Sequence, residues 1–378
     1  MMHSLPDVRN LQAVAAMIES PSKIKVLTPV VDIPDNKYLA CLWSSVQPYG
    51  VEVAGFQISE LIAQERKANQ KTGDVLHLHW ISKYCNFDGP SLKRKAKSAL
   101  QALKNLNKFF FLRYKGYQIV WTVHNTLSHD CSAPLLEHGF RWVLSRLCND
   151  VIVMSEYSRQ QFARMYGRTK RVHVVPHGNY IGVYPNEISR TDARRQLSIA
   201  PHQTVILHLG QIRPYKGIDY LLETFNQLKN PDVVLLIAGS CPNPDLLTKI
   251  QHAAQGDPRI LLQLKFIQDE DIQIYMNACN WVVLPYQKIL NSGSALLALS
   301  FGRPVIVPQQ GVLTELITDG KHGFCYTKER DLAATLNYAM ATPAEVWQEM
   351  CIQSYALAEK FNWSKIGFQL YQIYQQGA

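Results

Sequence analysis

The chain has no Cys-x-x-Cys pair: its eight cysteines, Cys41, Cys85, Cys131, Cys148, Cys241, Cys279, Cys325 and Cys351, are scattered. That spacing excludes a zinc ribbon and points to reduced, mostly buried thiols rather than a disulfide framework. No apolar run is long enough to span a bilayer, and there is no repeat or low-complexity tract. Met1 to Ser20 lack a basic start, an apolar core and a small-residue cleavage site. Secretion is therefore not expected, and a cytoplasmic location is. Acids are missing from one long stretch, Ser91 to Lys115, which carries Lys93, Arg94, Lys95, Lys97, Lys104, Lys108, Arg113 and Lys115. This segment holds most of the net charge of +9. Its Leu92, Ala96, Leu100, Leu103, Leu106 and Phe110 recur at helical spacing, so it reads as a basic amphipathic helix. Such a helix suits an anionic membrane surface, as on the inner face of the plasma membrane; the other reading is an apolar stripe packed on its own sheet with solvated lysines. Nucleic acid is not expected, because no recognition motif accompanies the charge.

What is present is an ordinary soluble composition, 47% hydrophobic and 18% charged, in 378 residues. That length exceeds one usual core and predicts two domains. Strands and helices alternate throughout, the pattern of α/β doubly wound parallel sheets. Strands are expected at Lys23 to Val31, Val51 to Phe56, Val75 to Trp80, Gln118 to His124, Val151 to Ser155 and Val172 to Pro176. A polar stretch from Pro185 to Pro201 reads as a linker or a short helix. The pattern restarts at Val205 to Leu209, Val233 to Ala238, Ile260 to Leu264, Trp281 to Leu284 and Pro304 to Val307. Two Rossmann-like domains result, 21–184 and 200–355, and a cleft outside the carboxyl ends of their strands is the expected site.

The richest stretch is Val205 to Leu222, an apolar strand, a glycine turn at Gly210-Gln211, the cations Arg213 and Lys216, and a helix. Gly210 permits close backbone approach, a guanidinium can clasp phosphate oxygens in pairs, and a lysine adds a point charge. A diphosphate is the expected ligand; an ordinary turn with solvated charges is the alternative. Asn291-Ser292-Gly293-Ser294 opens a second predicted helix whose free amides and hydroxyls suit the same anion, unless Ser292 merely caps it. In the first half, Trp121-Thr122-Val123-His124-Asn125 closes a strand and is followed by His129 and Asp130. This group has the residue types for acid/base chemistry, or for an ordinary surface loop. His77 and His79 form His-x-His, read as core or cleft lining in preference to metal ligands. Asp269-Glu270-Asp271 precedes a predicted helix and is read as acids at a helix start.

In order and spacing, several segments resemble GT-B glycosyltransferases, the broad family 4-like group that uses nucleotide sugars. They are Val174 to Gly178, Gly210 to Leu222, Leu236 to Gly239, Tyr275 to Pro285, Gly302 to Ile306, Gly311 to Leu316 and Phe361 to Ile366. The resemblance runs from about residue 23 to the end. It implies a GT-B fold, an acceptor-side first domain and a nucleotide-sugar-binding second domain. It also implies a last helix, 356–378, that crosses back to the first. It places His124 beside the donor sugar, adds Glu315 to the donor-binding residues, and needs no metal or other cofactor. One departure is plain. The family's two glutamates, separated by seven residues, are here Ile289 and Leu297. The resemblance then implies transfer from a nucleoside diphosphate sugar to a hydroxyl, with a lipid-linked or polysaccharide precursor as acceptor. Arg213 and Lys216 would steady the leaving diphosphate, and Asp130 would serve as base if configuration inverts. An epimerase on the same architecture and a non-catalytic nucleotide-sugar scaffold are the alternatives.

Overall fold

The computed structural model describes residues 23–33, 36–68, 71–87, 91–125 and 133–376. Contacts divide the described residues into two compact units, one made of those up to 154, 159–178 and those from 363 on, the other of 155–158 and 179–362.

The first unit is built on a parallel sheet of β1 (Ile24–Thr28), β2 (Val51–Gly55), β3 (Val75–Leu78), β4 (Gln118–Thr122), β5 (Asp150–Val153) and β6 (Val172–Val174), in the order β2-β1-β3-β4-β5-β6. Both β3 and β4 are buried along their whole length, as expected when helices cover both faces of a parallel sheet. The helix Tyr38–Val46 lays Leu39, Leu42, Trp43 and Val46 against Ile366, Leu370 and Tyr374 of the helix Trp363–Gln375. At the start of β5, burial alone would raise the Asp150 carboxyl, but hydrogen bonds from His173, Arg171 and Gln118 hold it down to about 2.

The basic segment is a helix, Leu92–Tyr114, started by the Ser91 hydroxyl accepting from the Arg94 amide at 3.3 Å. Of the apolar series read from the sequence, Leu106 is buried and Leu100, Leu103 and Phe110 are exposed. Ala102, Asn105, Leu106, Phe109 and Leu112 pack inward, whereas Leu100, Leu103, Phe110 and Tyr114 are 55–69% exposed. A second apolar series three and four residues apart lies in the same stretch, and it is the one that meets Tyr84, whose carbonyl accepts from Asn105 and whose ring meets Phe109 edge-on. The solvent-facing series runs beside exposed Lys93, Lys97 and Lys104. The neighbouring helix Pro134–Leu147 adds exposed Leu135, Leu136 and Trp142, with Arg146 stacked 3.6 Å over the Trp142 ring.

The second unit repeats the plan with β7 (Thr204–Leu209), β8 (Val233–Ala238), β9 (Ile260–Gln263), β10 (Trp281–Val283), β11 (Val305–Pro308) and β12 (Gly323–Tyr326), ordered β12-β11-β10-β7-β8-β9 and parallel throughout. Along β7, Val205, Leu207 and Leu209 enter one core layer and Ile206 the other, the alternation a doubly covered sheet requires. The stretch 185–201 folds with this unit. Its helix Arg190–Gln196 is capped by Ser189, and Arg194 donates to the Ala278, Ala200 and Pro201 carbonyls. Asp271 stands at the start of the helix Ile272–Ala278 but makes no side-chain capping bond. Its effect there is limited to the field at the helix end.

Candidate functional site

In the second unit the strand order reverses at β7, whose neighbours are β10 and β8. Ligands of such sheets bind at this switch point, outside the carboxyl ends of the strands. The chain leaves β7 through Gly210 at φ +124°, and a Cβ there would lie 3.3 Å from Lys216 Nζ and 3.8 Å from Ser294 Oγ. One glycine therefore sits within reach of both predicted phosphate-binding segments. Gly239, after β8 and at φ +144°, has no room for a side chain because the Gly210 carbonyl occupies it. The loops are tied together: the Gln287 amide donates to the Tyr215 carbonyl at 3.0 Å, and Gln310 Nε2 donates to the Tyr286 carbonyl at 2.5 Å.

Electrostatics single out Lys216. Burial first, and the Arg213 charge second, lower its ammonium to about 8. No carboxylate pairs with it among the described residues. Holding a cation away from water without a counter-ion is costly, and a ligand anion is what would offset that cost. Arg213 is tethered by its own Nε to Gln211 Oε1 at 3.1 Å, which holds the guanidinium at the turn. Ser292 caps the helix Gly293–Ser300 by accepting from the Ala295 amide at 3.1 Å. The capping reading of Ser292 is thus realised in the free protein. Tyr286, 5% exposed, has its hydroxyl raised by burial and hydrogen-bonded to Ser294 and Ser292. Nothing in the residue pattern singles out this tyrosine, since one in Leu-Pro-Tyr-Gln reads as loop packing. Behind the turn, His208 is fully buried, with Nδ1 3.2 Å from the Val283 carbonyl. Burial first, then the Lys216 charge, lower it to about 3.

At the positions of the family's two glutamates, Ile289 and Leu297 are half-buried and pack on the apolar core. The Ile289 carbonyl lies where Gly311, at φ +60°, leaves space for it. Glu315 is exposed on the short helix Leu313–Leu316.

In the first unit the strand ends gather aromatic rings. His79 follows β3 and His124 follows β4, and His79 Nδ1 lies 3.1 Å from His124 Nε2. Trp80 stacks on His124 at 4.3 Å and 12°, and Tyr38 approaches the same ring edge-on at 5.3 Å. His77 is held by the Tyr374 hydroxyl on Nδ1 and the Thr122 hydroxyl on Nε2, each at 2.7 Å. His177 packs on Tyr38 and turns Nδ1 to the Gly178 carbonyl at 2.7 Å. Burial lowers His77 and His124 to about 3, His177 to about 4 and His79 well below its usual value, so the rings are neutral at pH 7. His77 and His79 are thus lining and core, joined to His124. His129 and Asp130 lie outside the described residues.

Two doubly wound α/β units of this kind define the GT-B fold. The comparisons agree. The family profile "Glycosyl transferases group 1" matches residues 189–353. The chain is 28% identical over 301 residues to the GDP-mannose:glycolipid 4-beta-D-mannosyltransferase of Xanthomonas campestris pv. campestris, covering 80% of this chain and 78% of that one. It is 25% identical to the D-inositol 3-phosphate glycosyltransferase of Nocardia farcinica, covering 68% of this chain and 60% of that one. Among solved structures, HepE of Anabaena in complex with UDP-glucose superposes with a TM-score of 0.71 at 19% identity, over 93% of this chain and all of that one. Sucrose-phosphate synthase of Thermosynechococcus elongatus also gives 0.71, at 17% identity, over 94% of this chain and 99% of that one. The chain has the GT-B fold, and its residues 189–353 match the group 1 glycosyl transferases.

Proposed function

We propose that the protein transfers a hexose from a nucleoside diphosphate sugar to a hydroxyl of a lipid-linked saccharide, with the diphosphate bound in the second unit. The observation that carries this reading is the ammonium of Lys216, withdrawn from water, without a carboxylate partner among the described residues, and beside Gly210, which Ser294 also flanks. Arg213 and Lys216 would stabilise the charge that grows on the leaving diphosphate, the largest expected term in catalysis. The Gly210-Gln211 turn and Asn291 to Ser294 would hold its oxygens, and Glu315 would contact the nucleotide. Because the two cations supply the positive charge, the transfer is read as metal-independent, and turnover is expected to survive EDTA. The Xanthomonas relative makes GDP-mannose the first donor to try and a glycolipid the first acceptor. His124 is assigned to the sugar, and Asp130 is retained as the candidate base.

Thermal-shift titration with GDP- and UDP-sugars tests the donor. A bound donor at about a hundred times its Kd should stabilise the protein by about 2.7 kcal/mol. Nucleotide release that requires a glycolipid acceptor supports transfer. Release without acceptor favours a hydrolase, conversion of the free donor into another nucleotide sugar an epimerase, and binding without either a scaffold. No shift with any donor would overturn the phosphate reading.

The acceptor side of the proposal rests on the helix Leu92–Tyr114, whose exposed Leu100, Leu103 and Phe110 run beside exposed lysines. No helix among the described residues is long and apolar enough to cross a membrane. Attachment would therefore be peripheral, with the apolar row in the lipid and the lysines at anionic headgroups. Each lysine near such a surface is worth about 1 kcal/mol. Changing Lys93, Lys97 and Lys104 together to Gln should lower partitioning into anionic vesicles by about 10²-fold at low salt, less at high salt. Sedimentation with vesicles of defined anionic lipid content measures it, and unchanged partitioning would leave these lysines as solvated surface.

A further inference from the structure

In a neutral imidazole one ring nitrogen carries the proton and the other a lone pair, so a pair of hydrogen-bonded histidines must arrange two protons between them. His79 and His124 are such a pair, joined Nδ1 to Nε2 at 3.1 Å. The outer end of the pair decides the arrangement. His79 is 2% exposed, its Nε2 is buried with no hydrogen-bond partner, and the ring is enclosed by His77, stacked at 4.3 Å, and Trp43, edge-on at 5.3 Å. A buried N–H without an acceptor is rarer and costlier than a buried lone pair without a donor. The proton of His79 therefore belongs on Nδ1, where it donates to His124 Nε2. His124 Nε2 is then the acceptor, and the His124 proton must sit on Nδ1.

We infer that His79 is a positioning residue that fixes His124 in its Nδ1–H tautomer, so that His124 meets its ligand as a hydrogen-bond donor to oxygen and not as a base. The Trp80 ring stacked on His124 and the Tyr38 edge against it fix the plane in which that donor points. This rests on the assignment of His124 to the sugar made above. It changes what His124 does there: it holds a sugar or acceptor oxygen, and proton removal falls to another group.

The test uses the full chain. Asn at position 79 can place an amide N–H close to where Nδ1 stands, while Leu fills the same space without a donor. Long-range nitrogen-15 NMR of the imidazoles, with His124 assigned by its loss in H124N, should show the proton on Nδ1 in the parent and in H79N. In H79L it should show loss of that single tautomer. Initial rates of nucleotide release should fall about 10- to 100-fold in kcat in H79L, with donor KM little changed, and recover largely in H79N. A purely structural role predicts the reverse ranking, because Leu suits this apolar enclosure better than Asn. His124 protonated on Nε2 in the parent would overturn the inference whatever the rates. A correct tautomer with no nucleotide released from any donor would instead remove the transferase reading and leave the His79–His124 arrangement standing.

Discussion

Replacing Lys216 with Met is expected to stabilise the free protein while abolishing most donor binding. In the folded chain the ammonium is lowered to about 8, by burial and then by Arg213, from an ordinary value of 10.5. A lysine depressed in this way binds its proton less readily folded than unfolded, so below about pH 8 its charge counts against folding. The penalty is fully present at pH 7, shrinks as pH rises through 8, and is gone above the unfolded value. Discounted for the side chain's partial exposure, it amounts to about 2 kcal/mol at pH 7. For a unit of this size that is a rise in Tm of about 4–8 °C. Methionine keeps the length and apolar stem, so the gain should appear without a cavity. Loss of one charge-assisted contact to a diphosphate should meanwhile weaken donor binding by about 10²-fold. Calorimetry of both proteins at pH 7 and pH 9.5 distinguishes the causes, since the stability difference should narrow at the higher pH. A variant that is less stable than the parent, or that binds donor normally, would mean that the ammonium has a partner in the free protein and is not reserved for the ligand.

The proposed donor half of the site was legible because its chemistry is local. Strand, Gly210, Arg213 and Lys216 follow one another within a few residues, and burial of β7 and β10 brings Ser294 to the same turn. What the sequence could not display was the state of the charge. That Lys216 is withdrawn from water depends on packing across three loops, tied by Gln287 and Gln310 from outside the motif. Tyr286 was missed for a similar reason, its hydroxyl acquiring a role only when the helix start at Ser292 folds over it. The basic helix shows a different limit. Helical spacing was correct, but two apolar series occupy the segment, and only tertiary packing, against Tyr84 among others, decides that Phe109 goes in and Phe110 stays out. His79 was readable as lining, yet its link to His124 requires β3 and β4 to be neighbours. Residue spacing alone does not reveal that adjacency.

Mild acid should unfold the first unit before the second. His77, His79, His124 and His177 are all buried or half-buried in the first unit, and each is lowered from about 6.5 chiefly by loss of hydration. Unfolding releases them to take up protons that the folded rings refuse. The stability contributed by keeping them neutral is therefore complete above about pH 6.5 and is lost as pH falls from there toward 4. At pH 5 each fully enclosed ring, His77 and His79, costs the folded state about 2 kcal/mol, with His124 and His177 adding less because they are partly exposed. A total of about 4–6 kcal/mol is comparable to the whole stability of an ordinary domain. The second unit has two buried histidines among the described residues, His208 and His322, both lowered by burial, against four lowered in the first, so it should persist to lower pH. Asp150 does not blur this window: held down to about 2 in the folded unit, it contributes stability that is lost only as pH falls below its ordinary value of 3.8. Tryptophan emission can follow the two units, since Trp43, Trp80, Trp121, Trp142 and Trp363 lie in the first and Trp281 and Trp347 in the second. Denaturant midpoints measured across pH 4 to 7 should show at least two protons taken up on unfolding of the first unit, a slope of about 2.7 kcal/mol or more per pH unit. Simultaneous loss of both units below pH 4, with fewer than two protons bound, would mean that water reaches these rings in the folded protein and that their neutrality is not what the aromatic enclosure imposes.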